Sequence, residues 1–233
     1  MKRALLNLRL LAARLAGRTV FESALYRESE LTRLMNLFAH VDLERWKSMK
    51  VLEVGAGPGH IGDAFVHLGF DVTSTDGRPE YVERMNARGR KSFVLDLDRT
   101  GADELAAFDL IIAFGVLYHL SEPDRFIRSC GKTAKVLLLE TVVCDLGEPV
   151  ARRVAEGRGW RGKDQALNRY GCRPSPSWVE NMCRSAGFDV VRDISSPIAN
   201  WMIGRFDWDP KGTGEWKRDG VNLRKMWVAE KRP

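Results

Sequence analysis

The chain has 233 residues, a length that suits one domain with a single hydrophobic core, or one domain with a small cap. Hydrophobic residues make up 44% of the chain and charged residues 29%, which is a globular composition and excludes a disordered or fibrous protein. The formal net charge of +6 comes from 37 basic and 31 acidic residues spread along the whole length. This moderate surplus weakly favours an anionic partner such as a phosphate, a nucleic acid or a lipid headgroup.

The cysteines and histidines show none of the spacings that build a disulfide framework or a metal centre. The four cysteines include no C-x-x-C pair, so we expect free thiols in a reducing compartment and a cytoplasmic location. The four histidines lack metal-ligand spacing, so no metal site is predicted. No run of about 20 apolar residues occurs, so no transmembrane segment is predicted either.

Residues 1–20 form a basic, leucine-containing segment with five basic residues and no acidic one. On a helix, Arg3, Arg14 and Arg18 would fall within roughly 60° of one another, with the leucines elsewhere on the surface. This pattern is compatible with a transit peptide or with a helix that makes peripheral contact with a membrane. The interpretation that we favour is a helix packed on the main domain, with its arginines in solvent.

The remaining elements alternate regularly along the chain. Apolar residues at helical spacing predict a first helix over 23–41, and they are Leu31, Leu34, Met35, Phe38 and Val41. Short apolar runs bounded by glycine, proline or aspartate predict seven strands, over 50–54, 70–75, 92–95, 108–114, 134–143, 188–194 and 222–229. Further helices are predicted over 60–68, over 79–89, from 123 onwards and over 177–186.

This alternation is typical of a parallel sheet with helices on both faces, so the sequence predicts an α/β fold with a Rossmann-like doubly wound sheet. We divide the chain into an N-terminal helical cap, residues 1–48, and a main domain, residues 49–233. Two stretches with little apolar periodicity interrupt the later half, at about 144–175 and 195–220. We interpret them as insertions, the first of which follows strand five and is free to cover a substrate.

A glycine-rich turn joins the first predicted strand to the next helix. The glycines of Gly55-Ala-Gly57-Pro-Gly59 let the backbone turn sharply and approach a ligand closely. Asp76 ends the second strand, where it can accept hydrogen bonds from two ribose hydroxyls, and Asp96 ends the third strand, within reach of an adenine amino group. Binding features at three successive strand ends predict a crevice for an adenosine group.

Over about residues 48–143 the sequence resembles the class I methyltransferase family. The resemblance rests on Glu-Val-Gly-Ala-Gly-Pro-Gly over 53–59, on Asp76 and Asp96, and on Asp-Leu-Ile-Ile-Ala-Phe-Gly-Val-Leu-Tyr-His-Leu over 109–120. It implies S-adenosylmethionine as the cofactor, S-adenosylhomocysteine as its product, and a seven-stranded sheet whose last strand, 222–229, runs antiparallel. The cofactor-binding residues that it implies are Glu53, which fixes the turn, Gly55, Gly57 and Gly59 beside the methionine part, Asp76 on the ribose, Asp96 and Leu97 beside the adenine, and Phe114 and Gly115 at the methyl-donor pocket.

A dinucleotide enzyme is the main competing interpretation. Gly57-Pro-Gly59-His-Ile-Gly62 fits G-x-G-x-x-G, and Asp76 lies near the expected distance downstream. Against it, an acidic residue two places before the first glycine is typical of the methyltransferases, and a dehydrogenase needs a catalytic set that we cannot assemble from this sequence. We therefore favour a methyltransferase, with an NAD-dependent oxidoreductase and an inactive nucleotide-binding fold as the alternatives.

The candidate catalytic residue is His119, which follows the fourth strand at the mouth of the crevice. Methyl transfer from a sulfonium is a direct displacement, so alignment matters most, but an oxygen acceptor also benefits from a base that removes its proton. The ordinary pKa range of histidine suits that task. The alternative is a structural histidine that fixes the loop, and Tyr118 has the same two interpretations, at the donor site or in packing.

The segment 165–178, Gln-Ala-Leu-Asn-Arg-Tyr-Gly-Cys-Arg-Pro-Ser-Pro-Ser-Trp, follows the fifth strand and can fold over an acceptor. Together with 115–123 it resembles a branch of the family related to the tRNA wobble-uridine modification enzymes, a branch that includes members suited to sugars or secondary metabolites. Four tryptophans either stack on a sugar or base or fill the core under the insertions: Trp160, Trp201, Trp208 and Trp216. The predicted substrate contacts are Tyr118, Trp160, Asn168, Arg169, Tyr170 and Arg173.

The acceptor is the least determined part of the prediction. The long N-terminal extension of the tRNA enzymes is missing from this sequence, and no RNA-binding appendage is visible. We therefore expect O-methylation of a sugar-containing (glycan) acceptor or another small natural product, with RNA methylation as the alternative.

Overall fold

The computed structural model of the chain describes residues 20–156 and 165–232. Residues 1–19, which make up nearly all of the predicted N-terminal helix, lie outside these ranges, and so does Trp160. Within the described ranges no helix is both long and apolar enough to cross a membrane.

A mixed sheet forms the centre of the fold. The strands, in chain order, are β1 (Lys50–Glu53), β2 (Asp71–Asp76), β3 (Ser92–Val94), β4 (Leu110–Phe114), β5 (Val136–Val142), β6 (Ala151–Ala155), β7 (Tyr170–Pro174), β8 (Val190–Asp193), β9 (Gly204–Arg205), β10 (Lys217–Arg218) and β11 (Val221–Glu230). The order across the sheet is β3-β2-β1-β4-β5-β11, and β8 pairs with the other side of β11. Strand β11 runs antiparallel to β5 and β8, whereas β1 to β5 are parallel to one another. The predicted doubly wound, seven-stranded sheet with an antiparallel last strand is confirmed.

The helices begin where the sequence carries start signals. They are α1 (Ala24–His40), α2 (His60–His67), α3 (Pro79–Ala87), α4 (Pro123–Thr133) and α5 (Pro176–Ser185). Proline occupies the first turn of α3, α4 and α5, where the missing N–H costs no hydrogen bond. Ser23 caps α1 by accepting a hydrogen bond from the backbone N–H of Tyr26 at 3.2 Å, and Ser175 caps α5 in the same way.

The two faces of the sheet are each covered by helices. Leu137 and Leu139 of β5 lie in a buried cluster with side chains of α4 and α5, whereas Leu138 lies in the cluster formed with α1 and α2. Successive residues of a strand point to opposite faces, so a strand covered on both sides is apolar along most of its length. Helix α1 contributes Leu34 and Leu37 to the second cluster. The division between a cap, residues 1–48, and a main domain stays a prediction.

Helix α1 turns a polar side inwards, which its apolar spacing did not indicate. Asn36 is fully buried and its Nδ2 donates to the carbonyl of Ile194 at 2.9 Å. Arg33 is also buried, and its Nε lies 3.1 Å from Glu140 Oε2 on the sheet. Because these polar partners fix the rotation of the helix, part of its apolar stripe faces outwards. The exposed members are Leu31, Met35 and Phe38, at 59%, 51% and 45% exposure.

The two predicted insertions contain more regular structure than expected. The first forms an antiparallel hairpin of β6 and β7, and the second contributes the short strands β9 and β10 beside β11. Sequence patterns missed the hairpin because β6 is largely exposed, and the buried residues of β7 are Gly171, Cys172 and Pro174, which give no apolar alternation. At the end of β5, Asp145 is buried and accepts backbone N–H bonds from Lys211 at 3.1 Å and Thr213 at 3.3 Å, which anchors the second insertion.

Candidate active site

The glycine-rich turn lies between β1 and α2, at the carboxyl edge of the sheet. Gly55 and Gly57 have φ values of +59° and +53°, a region that favours glycine. A Cβ on Gly55 would lie 2.4 Å from Val116 Cγ2, and a Cβ on Gly57 would lie 3.2 Å from the ring of Phe21. Because these two glycines carry no side chain, the segment after β4 and the start of the described chain can both pack against the turn.

Asp76 connects the turn to the end of β2. Its Oδ2 accepts a hydrogen bond from the N–H of Gly57 at 2.8 Å, and its Oδ1 accepts one from the N–H of Arg78 at 2.9 Å. Burial raises the pKa of this carboxyl, and the two backbone donors oppose the rise. A carboxylate has further lone pairs beyond these two bonds, so Asp76 can still accept hydroxyl donors from a ligand.

Glu53 ends β1 and holds the turn from behind. Its Oε2 accepts a hydrogen bond from Ser74 Oγ at 2.7 Å, and the group is 3% exposed. A Cβ on Gly62 would lie 2.3 Å from the same oxygen, so α2 packs directly on the carboxyl. Burial raises the pKa of Glu53 to about 7. This placement supports the predicted role of Glu53 in fixing the turn.

A small cavity lies between α1 and the glycine-rich turn. Its lining includes Glu53 and Gly55 from the turn, Phe114 from the end of β4, and Tyr26 and Arg33 from α1. The helix thus covers the place where β1 and β4 end side by side. A ligand in this cavity would contact the bare backbone of the turn below and polar side chains of α1 above.

The segment after β3 is folded as a tight loop. Asp96 is partly exposed and its Oδ1 accepts the N–H of Asp98 at 3.1 Å, whereas the side chain of Leu97 is buried in the core. Asp98 was not predicted from the sequence. Its Oδ1 accepts the N–H groups of Ser121 and Glu122 at 2.8 and 3.0 Å, and this fixes the loop after β4 to the loop after β3.

Two arginines and one glutamate meet where β4 ends. Gly115 follows Phe114 with a φ of +73°, and a Cβ there would lie 3.6 Å from Arg33 Nη2 and 3.7 Å from Arg224 Nη2. Glu140 on β5 is fully buried; its Oε1 accepts from Arg224 Nε and its Oε2 lies 3.1 Å from Arg33 Nε. The attraction of the two guanidiniums outweighs burial and keeps the pKa of Glu140 below its usual value.

His119 forms a short contact with Glu156, which follows β6. Its Nδ1 lies 2.6 Å from Glu156 Oε2, and the same oxygen accepts the N–H of Ala166 at 2.8 Å. Burial would raise the pKa of Glu156, but the contacts with His119, Ala166 and Arg173 outweigh it and hold the pKa below its usual value. An ionised Glu156 favours a proton on Nδ1 of the ring, which leaves Nε2 as the hydrogen-bond acceptor.

Tyr118 lies between His119 and two arginine side chains. Its ring centroid is 3.9 Å from that of His119 and 5.3 Å from the Cζ atoms of both Arg173 and Arg224. Arg173 on β7 donates from Nη1 to the Tyr118 carbonyl at 3.1 Å and to Glu156 Oε1 at 3.2 Å. The hairpin of the first insertion is thereby pinned on the loop that carries His119.

A family profile described as a methyltransferase domain matches residues 23–193, which is well over half of the chain. The chain belongs to the class I S-adenosylmethionine-dependent methyltransferase family. This membership decides against the NAD-dependent oxidoreductase that the G-x-G-x-x-G match left open.

Curated relatives of this methyltransferase include O-methyltransferases of ubiquinone biosynthesis. The one from Methylocella silvestris is 30% identical over 177 residues, which cover 74% of this chain and 52% of that protein. The one from Xanthomonas oryzae pv. oryzae is 29% identical over 109 residues, 44% of each chain. The matches thus span about half the length of these relatives.

Solved structures support the same fold. The N-terminal domain of EvdMO1, crystallised in the presence of S-adenosylhomocysteine and D-fucose, has a TM-score of 0.65 at 16% identity, covering 91% of this chain and 84% of that one. The magnesium protoporphyrin IX methyltransferase of Synechocystis PCC 6803, with bound S-adenosylhomocysteine, has a TM-score of 0.54 at 13% identity, covering 88% and 83%.

The residues of this methyltransferase fit its cofactor. The positive-φ turn offers backbone without side chains, and Asp76 lies at the neighbouring strand end with spare acceptor capacity. The roles of these residues remain proposals drawn from this geometry. Within the described ranges no group of three or more histidine, cysteine or acidic side chains is arranged to hold a metal ion.

The predicted acceptor contacts are not brought together. Asn168 and Arg169 are exposed, and Asn168 Nδ2 donates to Asp98 Oδ2 at 2.9 Å. Tyr170 is 43% exposed and lies 4.1 Å from the Cζ of Arg153. The structure instead places Tyr118 and Arg173 beside His119, so only these two of the predicted set lie next to the candidate base within the described residues.

The tryptophans within the described ranges lie in the core or beside arginine side chains, Trp201 packs against a core cluster, and their contact with an acceptor stays a prediction. Trp208 is 8% exposed and its Nε1 donates to the carbonyl of Arg224 at 3.1 Å, so it fills the core. Trp201 lies 5.5 Å from the Cζ of Arg33, and Trp216 lies 5.7 Å from that of Arg173. These two rings therefore border the cationic groups of the site.

Sequence patterns also missed four site residues: Arg33, Glu140, Glu156 and Arg224. Glu140 did leave a signal, because it is an acidic residue within an otherwise apolar buried strand. The other three gave none, since each is an ordinary charged residue whose position depends on the tertiary fold.

Proposed function

We propose that this methyltransferase transfers a methyl group to a hydroxyl of a small acceptor, sugar-containing or another natural product, with His119 as the base. The observation that carries the proposal is the 2.6 Å contact between His119 Nδ1 and Glu156 Oε2, just beyond the end of β4. Glu156 orients the ring through Nδ1, so that Nε2 is free to take the proton of an acceptor hydroxyl.

S-adenosylmethionine supplies an electrophilic methyl group: the carbon–sulfur bond breaks as the carbon–oxygen bond forms, and S-adenosylhomocysteine leaves. The residues of the chain align the acceptor. The hydrogen bond from the Gly57 N–H holds Asp76 against the glycine-rich turn. The hairpin, which Arg173 fixes to the Tyr118 carbonyl, excludes water. The proton of the hydroxyl passes to His119.

Oxygen as the accepting atom is supported by the O-methyltransferase relatives, and a sugar-containing acceptor by the fold neighbour crystallised with D-fucose. RNA is the alternative acceptor, which the net charge of +6 favours. Incubation with methyl-labelled S-adenosylmethionine and cell extract, separated into RNA, polysaccharide, lipid and small-molecule fractions, distinguishes these. Label in the polysaccharide or small-molecule fraction is expected, and label confined to RNA would refute the acceptor class.

The base is tested by His119→Ala and Glu156→Gln, with His67→Ala as the matched control. His67 is exposed, and its Nδ1 lies 2.7 Å from the Asp63 carbonyl oxygen of its own helix. We expect kcat to fall by about a hundredfold or more in His119→Ala, with S-adenosylhomocysteine binding unchanged. Glu156→Gln should lower kcat by less than His119→Ala, because the ring stays in place but loses the carboxylate that orients it. An unchanged kcat in His119→Ala would end the assignment.

A further inference from the structure

The segment 165–168, just before β7, bridges the loops that follow β2 and β3. Arg78, two residues after the end of β2, donates from Nη2 to the carbonyl of Gln165. Asn168 donates from Nδ2 to Asp98 Oδ2 at 2.9 Å, in the loop after β3. These are the two strand ends to which the ribose and the adenine of the cofactor were assigned. The first insertion therefore reaches the proposed nucleoside site as well as the loop after β4.

Leu167 fills the space that a side chain at position 77 would take. Gly77 directly follows Asp76, and a Cβ on Gly77 would clash with Leu167 Cδ1. Leu167 is itself 43% exposed, although its neighbour Ala166 is buried. An adenosine group bonded to Asp76 would lie beside this leucine and cover part of its exposed surface, which is favourable for an apolar side chain. The apolar contact that a glycine cannot supply thus comes from the insertion.

The same segment also holds the carboxylate that contacts the candidate base. The N–H of Ala166 donates to Glu156 Oε2 at 2.8 Å, and this oxygen lies 2.6 Å from His119 Nδ1. Directly after the segment, Arg169 has a φ of +61°, which residues with a side chain rarely adopt, and its carbonyl accepts the N–H of Glu156 at 2.8 Å. Because these bonds hold the backbone in one conformation, a shift of the segment also moves the carboxylate that orients His119.

We propose that residues 165–168 close on the adenosine part of the cofactor and, through Glu156, let the bound cofactor fix the orientation of His119. The inference rests on the proposed function, because it takes Asp76 to hold the ribose and His119 to be the base. The link works in both directions: a cofactor that favours the closed segment binds more tightly when the segment is closed. Leu167 contacts the cofactor, whereas Asn168 and Ala166 are positioning residues.

Calorimetric titration with S-adenosylhomocysteine tests the contact with the cofactor. Leu167→Ala removes the apolar contact and Asn168→Ala removes the bond to Asp98, so each should weaken binding by about three- to tenfold. The controls are Leu68→Ala, at a leucine that is 41% exposed, and Asn181→Ala, at an exposed asparagine of α5. Both controls should bind like the wild type. Unchanged affinity in Leu167→Ala and Asn168→Ala would overturn the proposal.

A second ligand identifies the part of the cofactor that the segment contacts. 5′-Methylthioadenosine keeps the nucleoside but lacks the amino-acid part of S-adenosylhomocysteine. Leu167→Ala should weaken the binding of both ligands by the same factor, because the lost contact is with the nucleoside. A loss confined to S-adenosylhomocysteine would place Leu167 beside the amino-acid part and refute the inference.

A pair of substitutions tests whether Leu167 packs on Gly77. The φ of Gly77 lies outside the left-handed region, so alanine is compatible with its backbone, and the neighbour that its Cβ meets is Leu167. Gly77→Ala should therefore displace the segment and weaken S-adenosylhomocysteine binding. Adding Leu167→Ala removes the clash and should recover about threefold or more of that affinity. Losses that simply add in the double variant would overturn the contact.

The orientation of His119 is measured without turnover. The carbon–proton signals of its ring, identified by their absence in His119→Ala, should shift in the NMR spectrum when the wild type is saturated with S-adenosylhomocysteine. In Asn168→Ala, also at saturation, most of this shift should be lost. An equal shift in both proteins would overturn the link, and so would the absence of a shift in the wild type. If His119→Ala kept its kcat, the proposed base would be wrong, but the NMR shift and its loss in Asn168→Ala would still stand, so the two failures are distinguishable.

Discussion

The buried carboxyl of Glu53 makes a quantitative prediction about stability. Burial between β1, β2 and α2 raises its pKa from 4.5 to about 7, despite the hydrogen bond from Ser74. The folded protein therefore binds this proton more tightly than the unfolded chain does. Between about pH 4.5 and pH 7 the folded state holds more protons, so this group lowers the free energy of unfolding as the pH rises through that window.

The size of the effect follows from the shift. A difference of about 2.5 pKa units, at about 1.36 kcal/mol per unit, amounts to roughly 3 kcal/mol lost by about pH 8. Glu53→Gln removes the titrating group, and its amide oxygen can accept the same hydrogen bond from Ser74 Oγ. Between about pH 5 and pH 8, the unfolding free energy of the wild type should fall by roughly 2.5 kcal/mol relative to that of the variant, since part of the effect is already lost at pH 5.

Urea unfolding at about pH 5, 6, 7 and 8 measures this difference, because other titrating groups cancel between the two proteins. Glu44→Gln is the matched control, since the Glu44 side chain is 78% exposed. It should follow the wild type at every pH. If Glu53→Gln showed the same pH dependence as the wild type, the carboxyl would already be ionised in the fold, and the reasoning would be wrong.

Three further predictions concern the proposed role of Asp76, the packing around Gly204 and the reactivity of the cysteine thiols. Asp76→Asn should weaken S-adenosylhomocysteine binding by about tenfold or more in calorimetry, because the amide loses the charge and one acceptor for hydroxyl donors; unchanged affinity would move the ribose site elsewhere. Gly204→Ala should lower stability by about 1–3 kcal/mol or more in thermal unfolding. Its Cβ would lie 1.6 Å from Trp201 Nε1, whereas the control Gly147→Ala meets open space and should leave stability unchanged. The native protein should resist thiol reagents until it unfolds, because burial raises the pKa of both Cys172 and Cys183 to about 12; rapid labelling would contradict this.

Much of the cofactor side could be predicted because its signals are local in sequence. The turn from Gly55 to Gly59 needs backbone conformations that favour glycine, and it follows a strand whose central residues, Val51 and Leu52, are apolar and fully buried. Asp76 ends the next strand, and adjacent parallel strands bring their carboxyl ends together. The glycine motif and the expected order of the strands therefore point to the same edge of the sheet, without any knowledge of tertiary contacts.

The acceptor side could not be predicted in the same way. Asn168 and Tyr170 are close in sequence to Arg173, but of these three only Arg173 contacts the Tyr118 carbonyl, whereas Asn168 is bonded to Asp98 and Tyr170 lies beside Arg153. Glu156 reaches His119 across 37 residues, through a hairpin whose pairing left no apolar pattern.

The sequence by itself determined the fold class and the family, since strand periodicity, the glycine turn and the acidic strand ends are short-range features. Only the tertiary structure decided which polar groups meet beyond the end of β4. The three charged residues lie on separate elements: Arg33 on α1, Glu140 on β5 and Arg224 on β11. The antiparallel pairing of β11 with β5 brings the last two together. A charge balance among residues so far apart in the chain exists only once the sheet and its covering helix have formed.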